Sequence, residues 1–255
     1  MKPIPEDINM RVRKLYDTGD YYIKIPNRSQ GFEKEYWGCV ADPDGKERDA
    51  IEEFENSKFN FNYIAEYLKE LNPAKLLDIG CGLGALLAAY RSKDNNAQLC
   101  GTELSSLAGK HASKFAKIFI GNLEDAGYKN EYFDAVTCHH VIEHVLNPEK
   151  LITEIKRILK KNGVLVLATP DFDSGCARRF GSKYRLLHDK THITLFSSDS
   201  MHRFLRDYGF IINKVEFPYF ETEYFNEENL IRMFDKDKVS PPFYGNYMTF
   251  FCKKA

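Results

Sequence analysis

The chain has 255 residues, with 36 Lys and Arg against 37 Asp and Glu, a formal charge of −1 with histidine neutral. That balance speaks against a nucleic-acid binder held by a bulk electrostatic footprint, and 43% hydrophobic with 29% charged residues excludes a disordered or membrane-spanning class. The unusual figure is 14% aromatic, from 15 Tyr, 19 Phe and one Trp, a load that needs a core or a pocket to hold it.

In chain order, the opening MKPIPEDINMRVRK has acids and prolines where a signal peptide needs an apolar stretch, so the expected location is the cytoplasm. Residues 57 to 71 carry apolar side chains at Phe59, Tyr63, Ile64, Tyr67, Leu68 and Leu71, which predicts one helix ended by Asn72-Pro73. Lys75 to Ile79 is a short apolar run leading into glycines, the form of a buried parallel strand. Leu99 to Leu104, Lys117 to Ile120, Phe133 to Cys138 and Val164 to Ala168 repeat that form. A helix is predicted from Asn147-Pro148-Glu149, an N-cap, a first-turn proline and an acid, through Leu151, Ile152, Ile155, Ile158 and Leu159 to a stop at Gly163. This alternation predicts an open α/β sheet with right-handed crossovers. Ser197 to Tyr208 reads as a helix stopped at Gly209, and Phe210 to Tyr219 and Tyr244 to Lys253 as two strands closing the sheet antiparallel. Pro170 to Leu195 and Phe220 to Pro242 are too long for simple connections and are expected to form lids or binding loops. Six cysteines, at 39, 81, 100, 138, 176 and 252, are too scattered for zinc knuckles and are expected to be reduced.

Residues 76 to 84 read Leu-Leu-Asp-Ile-Gly-Cys-Gly-Leu-Gly. Glycines directly after a buried strand let the backbone approach a ligand closely, and Glu103 closes the next strand where ribose hydroxyls are gripped. The stretch resembles motif I of the class I S-adenosylmethionine-dependent methyltransferases, an apolar run followed by D-x-G-x-G-x-G. The resemblance implies a Rossmann-like, mostly parallel seven-stranded sheet with an antiparallel C-terminal hairpin and added lid segments. It implies that Gly80, Cys81, Gly82 and Gly84 surround the methionine part of the cofactor with Asp78 ordering the loop. Glu103 would take the ribose hydroxyls with Leu104 beside it, and Asn122 and Leu123 would meet the adenine. S-adenosylmethionine is the implied cofactor and S-adenosylhomocysteine the product. On this basis residues 1–56 are an N-terminal lid or extension and residues 57–255 the methyltransferase domain, with acceptor lids at 170–195 and 220–242. Gly80-x-Gly82-x-x-Ala85 with Glu103 about 20 residues on also fits a dinucleotide fingerprint. An NAD-dependent oxidoreductase is therefore the alternative, and a non-catalytic cofactor-binding protein the other class.

The fourth strand runs into His139-His140-Val141-Ile142-Glu143-His144, at the strand end where open α/β sheets hold their ligands. Val141 to Val145 is similar to the V-L-E-H-V of the type 11 and type 23 methyltransferase groups, and His192-Ile193-Thr194-Leu195-Phe196-Ser197 is similar to a second type 23 block. An alcohol acceptor needs a base near neutral pKa: His140 or His144 is expected in that role, His192 third, with His139 facing the cofactor. Some family members with E-x-x-E-H and a later histidine bind a divalent ion. His140, Glu143, His144 and His192 are the corresponding set here, donors suited to Zn, Mn or Fe, although no metal is expected.

The first lid carries Arg178, Arg179, Lys183, Arg185 and Lys190 against three acids, and Arg178-Arg179 is a candidate clamp for an anionic acceptor. The expected partner is a small-molecule acceptor, with methyl going to an oxygen of a sugar, sugar nucleotide or phosphate-like substituent in bacterial surface-polysaccharide assembly; no nucleic acid and no membrane span are expected. Residues 75 to 170 hold only 6 of the 35 aromatics, so the excess, including Tyr16, Tyr21, Tyr22, Tyr36 and Trp37, belongs to the flanking segments expected to cover the site.

Overall fold

The computed structural model describes residues 49–94, 96–189, 191–218, 225–242 and 246–255, with four short strands nearer the N-terminus, Arg13–Lys14, Tyr21–Ile23, Val40–Ala41 and Glu47–Arg48. Tyr16, Tyr36, Trp37 and Cys39 lie outside the described residues. The central sheet is built from β1 (Lys75–Ile79), β2 (Gln98–Glu103), β3 (Lys117–Ile120), β4 (Phe133–His139), β5 (Leu159–Pro170), β6 (Phe210–Glu216) and β7 (Tyr247–Lys254). Their order is β3-β2-β1-β4-β5-β7-β6. The first five are parallel, and β7 is wedged antiparallel between β5 and β6. The dinucleotide fold continues 4-5-6 in parallel, so the reversed β7 sets that alternative aside.

Period-2 alternation gives the central strands two buried faces. Leu76, Leu99, Ala135 and Val166 meet α2 (Asn62–Leu71) through Ile64, Ala65 and Leu68, and α3 (Ala85–Arg91) through Leu86, Leu87 and Tyr90. Leu77, Ile79, Val136 and Leu165 face the opposite way, toward α5 (Pro148–Ile158) and α8 (Ser198–Asp207). Burying each of Leu151, Ile152, Ile155 and Ile158 of α5 contributes about 1.5–3 kcal/mol. Asn147 caps α5 by accepting from the Lys150 N–H at 2.9 Å with Pro148 behind it, and a Ser197–Ser200 capping box starts α8. α4 (Ser106–Ala112) follows β2, its cap Ser105 accepting from the Ala108 N–H.

Two local expectations are corrected. The single helix over 57–71 is two, α1 (Phe54–Asn60) and α2, broken at Phe61. Phe61 leaves the helical path, its N–H turning to the Lys58 carbonyl and its ring to His139. Gly163 does not close α5. The helix ends at Ile158 and Leu159 is already extended; Gly163 lies in an irregularity of β5, where the pairs Phe133–Leu159 and Ala135–Val164 fall out of step. A Cβ there would meet the Lys160 carbonyl oxygen at 2.9 Å, so close backbone approach, not helix termination, calls for glycine.

The segment after β5 folds into α6 (Gly175–Phe180), a 3-10 turn at Gly181–Lys183 and α7 (Arg185–His188), packed around Cys176, Phe180, Tyr184 and Leu186. It ends in a strand, Thr194–Phe196, paired antiparallel with Tyr21–Ile23, which pairs in turn with Arg13–Lys14. The later segment contributes α9 (Glu227–Arg232). Five described cysteines are free and buried. No helix among the described residues is long and apolar enough to cross a membrane.

Candidate active site at the carboxyl ends of the strands

The loop after β1 takes positive φ at Gly80 (64°), Gly82 (53°) and Gly84 (87°), the left-handed region that side chains resist. A Cβ at Gly80 would run into Val141 Cγ2, and one at Gly84 would lie 2.9 Å from the Ala112 Cα, so the loop is threaded between the His139–His144 turn and α4. The Cys81 N–H donates to the Thr102 carbonyl at 3.0 Å and the Gly84 N–H to the Cys81 carbonyl at 2.8 Å. The Gly82 N–H donates to Glu103 Oε2 at 2.9 Å, and the Ser105 N–H to Oε1 at 2.8 Å. Burial raises the Glu103 carboxyl, against the pull of these backbone donors. Asp78, behind the loop, accepts from Thr137 Oγ1 at 2.7 Å. Burial pushes its carboxyl up to about 7, although the Thr137 bond opposes this.

Around Glu103 the apolar side chains of Leu104 (50% exposed) and Ile120 (47%) stand open to solvent. The Cys81 thiol turns inward against Gly101, leaving only its backbone to border the loop. Leu123 packs into the core, and Asn122 is exposed and bonded to Asp125. Sequence reasoning omitted Ile120, which reads as an ordinary strand residue until the edge position of β3 is known.

At the end of β4 the chain turns sharply. His140 adopts φ 56° and its N–H donates to the Ala168 carbonyl at 2.9 Å. A short 3-10 turn, Ile142–His144, follows. Glu143 is wholly buried; its Oε1 accepts from His140 Nδ1 at 2.8 Å and its Oε2 from Thr169 Oγ1 at 3.0 Å. Burial alone would raise the Glu143 carboxyl, but the His140 bond and the surrounding histidines bring it down to about 2. An ionised carboxylate accepts only, so Nδ1 carries a proton, and in the neutral ring the lone pair is on Nε2.

The other two histidines of the set are held by the segment after β5. His144 Nδ1 lies 3.0 Å from the Thr191 carbonyl, and His192 Nδ1 lies 2.9 Å from that of Leu186. Carbonyls only accept, so both rings donate through Nδ1. Their centroids are 5.0 Å apart, and His192 Nε2 lies 3.6 Å from Asp189 Oδ2. Burial lowers His192 despite Asp189, and burial with the neighbouring His140 holds His139 well below the usual histidine range. One ligand atom each from Glu143, His144 and His192 falls within 4.8 Å of the others. His140, the fourth member of the expected set, is not part of this group; its Nδ1 lies on Glu143. His139 makes edge contacts with Phe61 and His140, and His140 with Tyr247. Thr169 and Asp189 escaped the sequence reading, although Thr169 gives the same signal as Asp78, a polar side chain at the end of an apolar strand.

Arg178 bonds Asp173 through Nε and Nη2, and Arg179 Nε donates to the Met233 carbonyl at 2.6 Å. Arg178 is thus tied to its own segment, and Arg179 links that segment to the one after β6.

Residues 53–215 match the type 23 methyltransferase-domain family. An uncharacterised protein of Methanocaldococcus jannaschii is 28% identical over 159 residues, 62% of this chain and 75% of that one. The ubiquinone biosynthesis O-methyltransferase of Pasteurella multocida is 32% identical over 126 residues, 42% of this chain; the match spans about half, 51%, of that relative. Among solved structures, an S-adenosylmethionine-dependent methyltransferase of Thermotoga maritima, described as a possible histamine N-methyltransferase, superposes with TM-score 0.59 at 22% identity, covering 80% of this chain and 94% of its own. One from Archaeoglobus fulgidus gives 0.58 at 20% identity, covering 80% and 98%. With the family match covering well over half its length and the β3-β2-β1-β4-β5-β7-β6 sheet beneath it, the chain belongs to the type 23 methyltransferase-domain family of S-adenosylmethionine-dependent enzymes.

Proposed function

We propose that the enzyme transfers a methyl group to a hydroxyl oxygen of a small-molecule acceptor, with His140 taking the hydroxyl proton. The observation that carries this reading is the His140–Glu143 pair: a partly exposed imidazole whose Nδ1–H is fixed on a buried, ionised carboxylate. That bond presents Nε2 as the basic nitrogen, and the Glu143 charge stabilises the imidazolium that proton transfer creates. The cofactor supplies an electrophilic sulfonium methyl; the chain's part is to align the acceptor and receive its proton.

In the cofactor half, Glu103 accepts the ribose hydroxyls, the backbone of Gly80, Cys81, Gly82 and Gly84 encloses the methionine part, and Asp78 braces the loop. Leu104 and Ile120 flank the adenine, with Asn122 and the Leu123 backbone at its edge, and His139 closes the pocket toward the acceptor. Exposed apolar side chains beside a gripping carboxylate suit a nucleoside. The segments at 170–195 and 220–242 cover the acceptor. Arg178 and Arg179 are already engaged, so the acceptor is recognised by its hydroxyl and its shape rather than by a phosphate; sugar and phenolic hydroxyls both qualify. The O-methyltransferase names of relatives support an oxygen acceptor. Free, buried cysteines fit a reducing compartment, the cytoplasm.

The test is calorimetry with S-adenosylhomocysteine followed by labelled-methyl transfer to panels of sugar and phenol hydroxyls. Binding with transfer is expected, and His140→Gln lowers the transfer rate about 10²–10⁴-fold. Absence of binding overturns the reading; full-rate transfer by His140→Gln removes His140 as the base.

A second reading rests on the convergence of Glu143, His144 and His192. Two imidazoles and a carboxylate suit zinc, manganese or iron, and Nδ1–H bonds to backbone carbonyls are the outer contacts that ligating histidines keep. A bound ion would supply Lewis-acid polarisation of the acceptor oxygen. Elemental analysis of the purified protein decides it: about one ion per chain, lost in His192→Ala, supports the reading, and a metal-free protein with chelator-insensitive activity ends it.

A further inference from the structure

Beyond the strand ends, one side chain reaches the glycine loop from outside the pocket. His111, on the last turn of α4, places Nδ1 2.8 Å from the Leu83 carbonyl oxygen. A carbonyl only accepts, so Nδ1 carries the proton and donates. The ring is set by two aromatics: Phe54 of α1 meets it edge-on at 4.7 Å, and Phe115 lies 6.1 Å away at a tilt. Phe54 and Phe115 stack on each other at 5.6 Å. Phe54 and Leu83 are both buried in one small cluster with Ala85, Ala88 and Ala108.

We propose that His111 is a positioning residue for cofactor binding, fixing the Leu83 peptide so that the loop keeps the shape in which Gly82 and Gly84 face the ligand. The reasoning is steric and local. Gly82, Leu83 and Gly84 are consecutive, and the two glycines hold left-handed conformations that an unrestrained loop exchanges freely with others. Fixing the peptide between them removes that freedom before the cofactor arrives, and preorganisation of this kind raises affinity by lowering the entropy lost on binding. α4 thereby holds the site at both ends: its cap Ser105 donates to Glu103, and His111 donates to the loop. Through Phe54 the same imidazole ties α1 to the loop, so ligand binding and the seating of α1 are linked, each favouring the other.

This inference rests on the reading that the glycine loop holds S-adenosylmethionine, and the experiment separates the two. S-adenosylhomocysteine affinity is measured by calorimetry for the full chain and for His111→Asn and His111→Gln. An Asn amide places its N–H near the position of Nδ1 and keeps the Leu83 bond; a Gln amide falls near Nε2 and loses it. The expected result is Asn within about twofold of the parent and Gln weaker by about fivefold, the loss of one hydrogen bond. Saturating cofactor restores kcat in both, so the change appears in KM for the cofactor. His111→Phe, which keeps the ring against Phe54, is expected to behave as Gln. Hydrogen exchange adds a readout: ligand slows exchange in α1 for the parent and Asn, and less for Gln. Equal affinity across parent, Asn and Gln overturns the positioning role, as does equal weakening of Asn and Gln, which reports lost packing. If the parent itself does not bind, it is the cofactor reading that fails.

Discussion

The Nδ1–H of His140 donates to Glu143 Oε1 across 2.8 Å, and no part of Glu143 reaches solvent. The pair is asymmetric: the carboxylate is locked by a second bond from Thr169, while the imidazole stands at the edge of the site in a left-handed backbone conformation. Backbone strain at a non-glycine residue persists only where its surroundings over-determine it; the Ala168 and Glu143 bonds do so here.

Glu143→Gln keeps the size of the side chain but removes its charge. Steady-state kinetics are expected to show kcat reduced about tenfold or more, with S-adenosylhomocysteine affinity within twofold, because the Glu143 oxygens bond His140 and Thr169 rather than the glycine loop. An equal loss in both quantities would mean that the substitution disturbs the fold and not the proton transfer.

Asp78 makes stability depend on pH in an uncommon direction. Its carboxyl rises from 3.8 to about 7 on folding, so between those values the folded chain binds the extra proton and stability falls as pH rises. The cost is absent below pH 4, grows through the window and levels off above 7, reaching about 4 kcal/mol. Urea unfolding of the ligand-free protein is expected to show Asp78→Asn more stable than the parent at pH 8 and equal to it near pH 4, with cofactor affinity reduced.

Gly84→Ala meets two obstacles, the positive φ and the Ala112 backbone at 2.9 Å. A left-handed alanine alone costs about 1–2 kcal/mol. Thermal melts should show clear destabilisation, and calorimetry at least a tenfold loss of S-adenosylhomocysteine affinity. Gly127→Ala has nothing within 4 Å of its Cβ and serves as the control for left-handed strain without a clash.

Arg178→Ala and Arg179→Ala are expected to leave KM for the acceptor within about twofold, since Arg178 is bonded to Asp173 and Arg179 to the Met233 carbonyl. A large rise in KM for either would restore an anionic acceptor.

The glycine loop and its neighbouring acids were legible as a structural unit because their signals are local. Asp78, Gly80, Gly82, Gly84 and Glu103 lie at strand ends that periodicity alone locates, and the loop needs no distant partner to declare itself. The histidines were legible as a group and not as individuals. What separates His140 from His144 and His192 is what its Nδ1 engages, a carboxylate rather than a backbone carbonyl: His144 bonds the Thr191 carbonyl, 47 residues on, and His192 that of Leu186. Backbone acceptors leave no mark in residue identity. The same limit explains Gly163, which follows a helical pattern as a C-terminal glycine would but serves a strand irregularity. It also explains Phe61, whose apolar character fits a continuous helix equally well.

The strand Thr194–Phe196 is stitched on both sides. The Ile193 N–H donates to the Glu143 carbonyl at 2.8 Å and Thr194 Oγ1 to that of Val145 at 2.6 Å, while the opposite edge pairs with Tyr21–Ile23. The His139–His144 turn is therefore buttressed by Thr194–Phe196 and, through it, by Tyr21–Ile23. On the proposed reading, drift in those outer segments retunes what is methylated while the glycine loop stays as it is, a division of labour written into the connectivity.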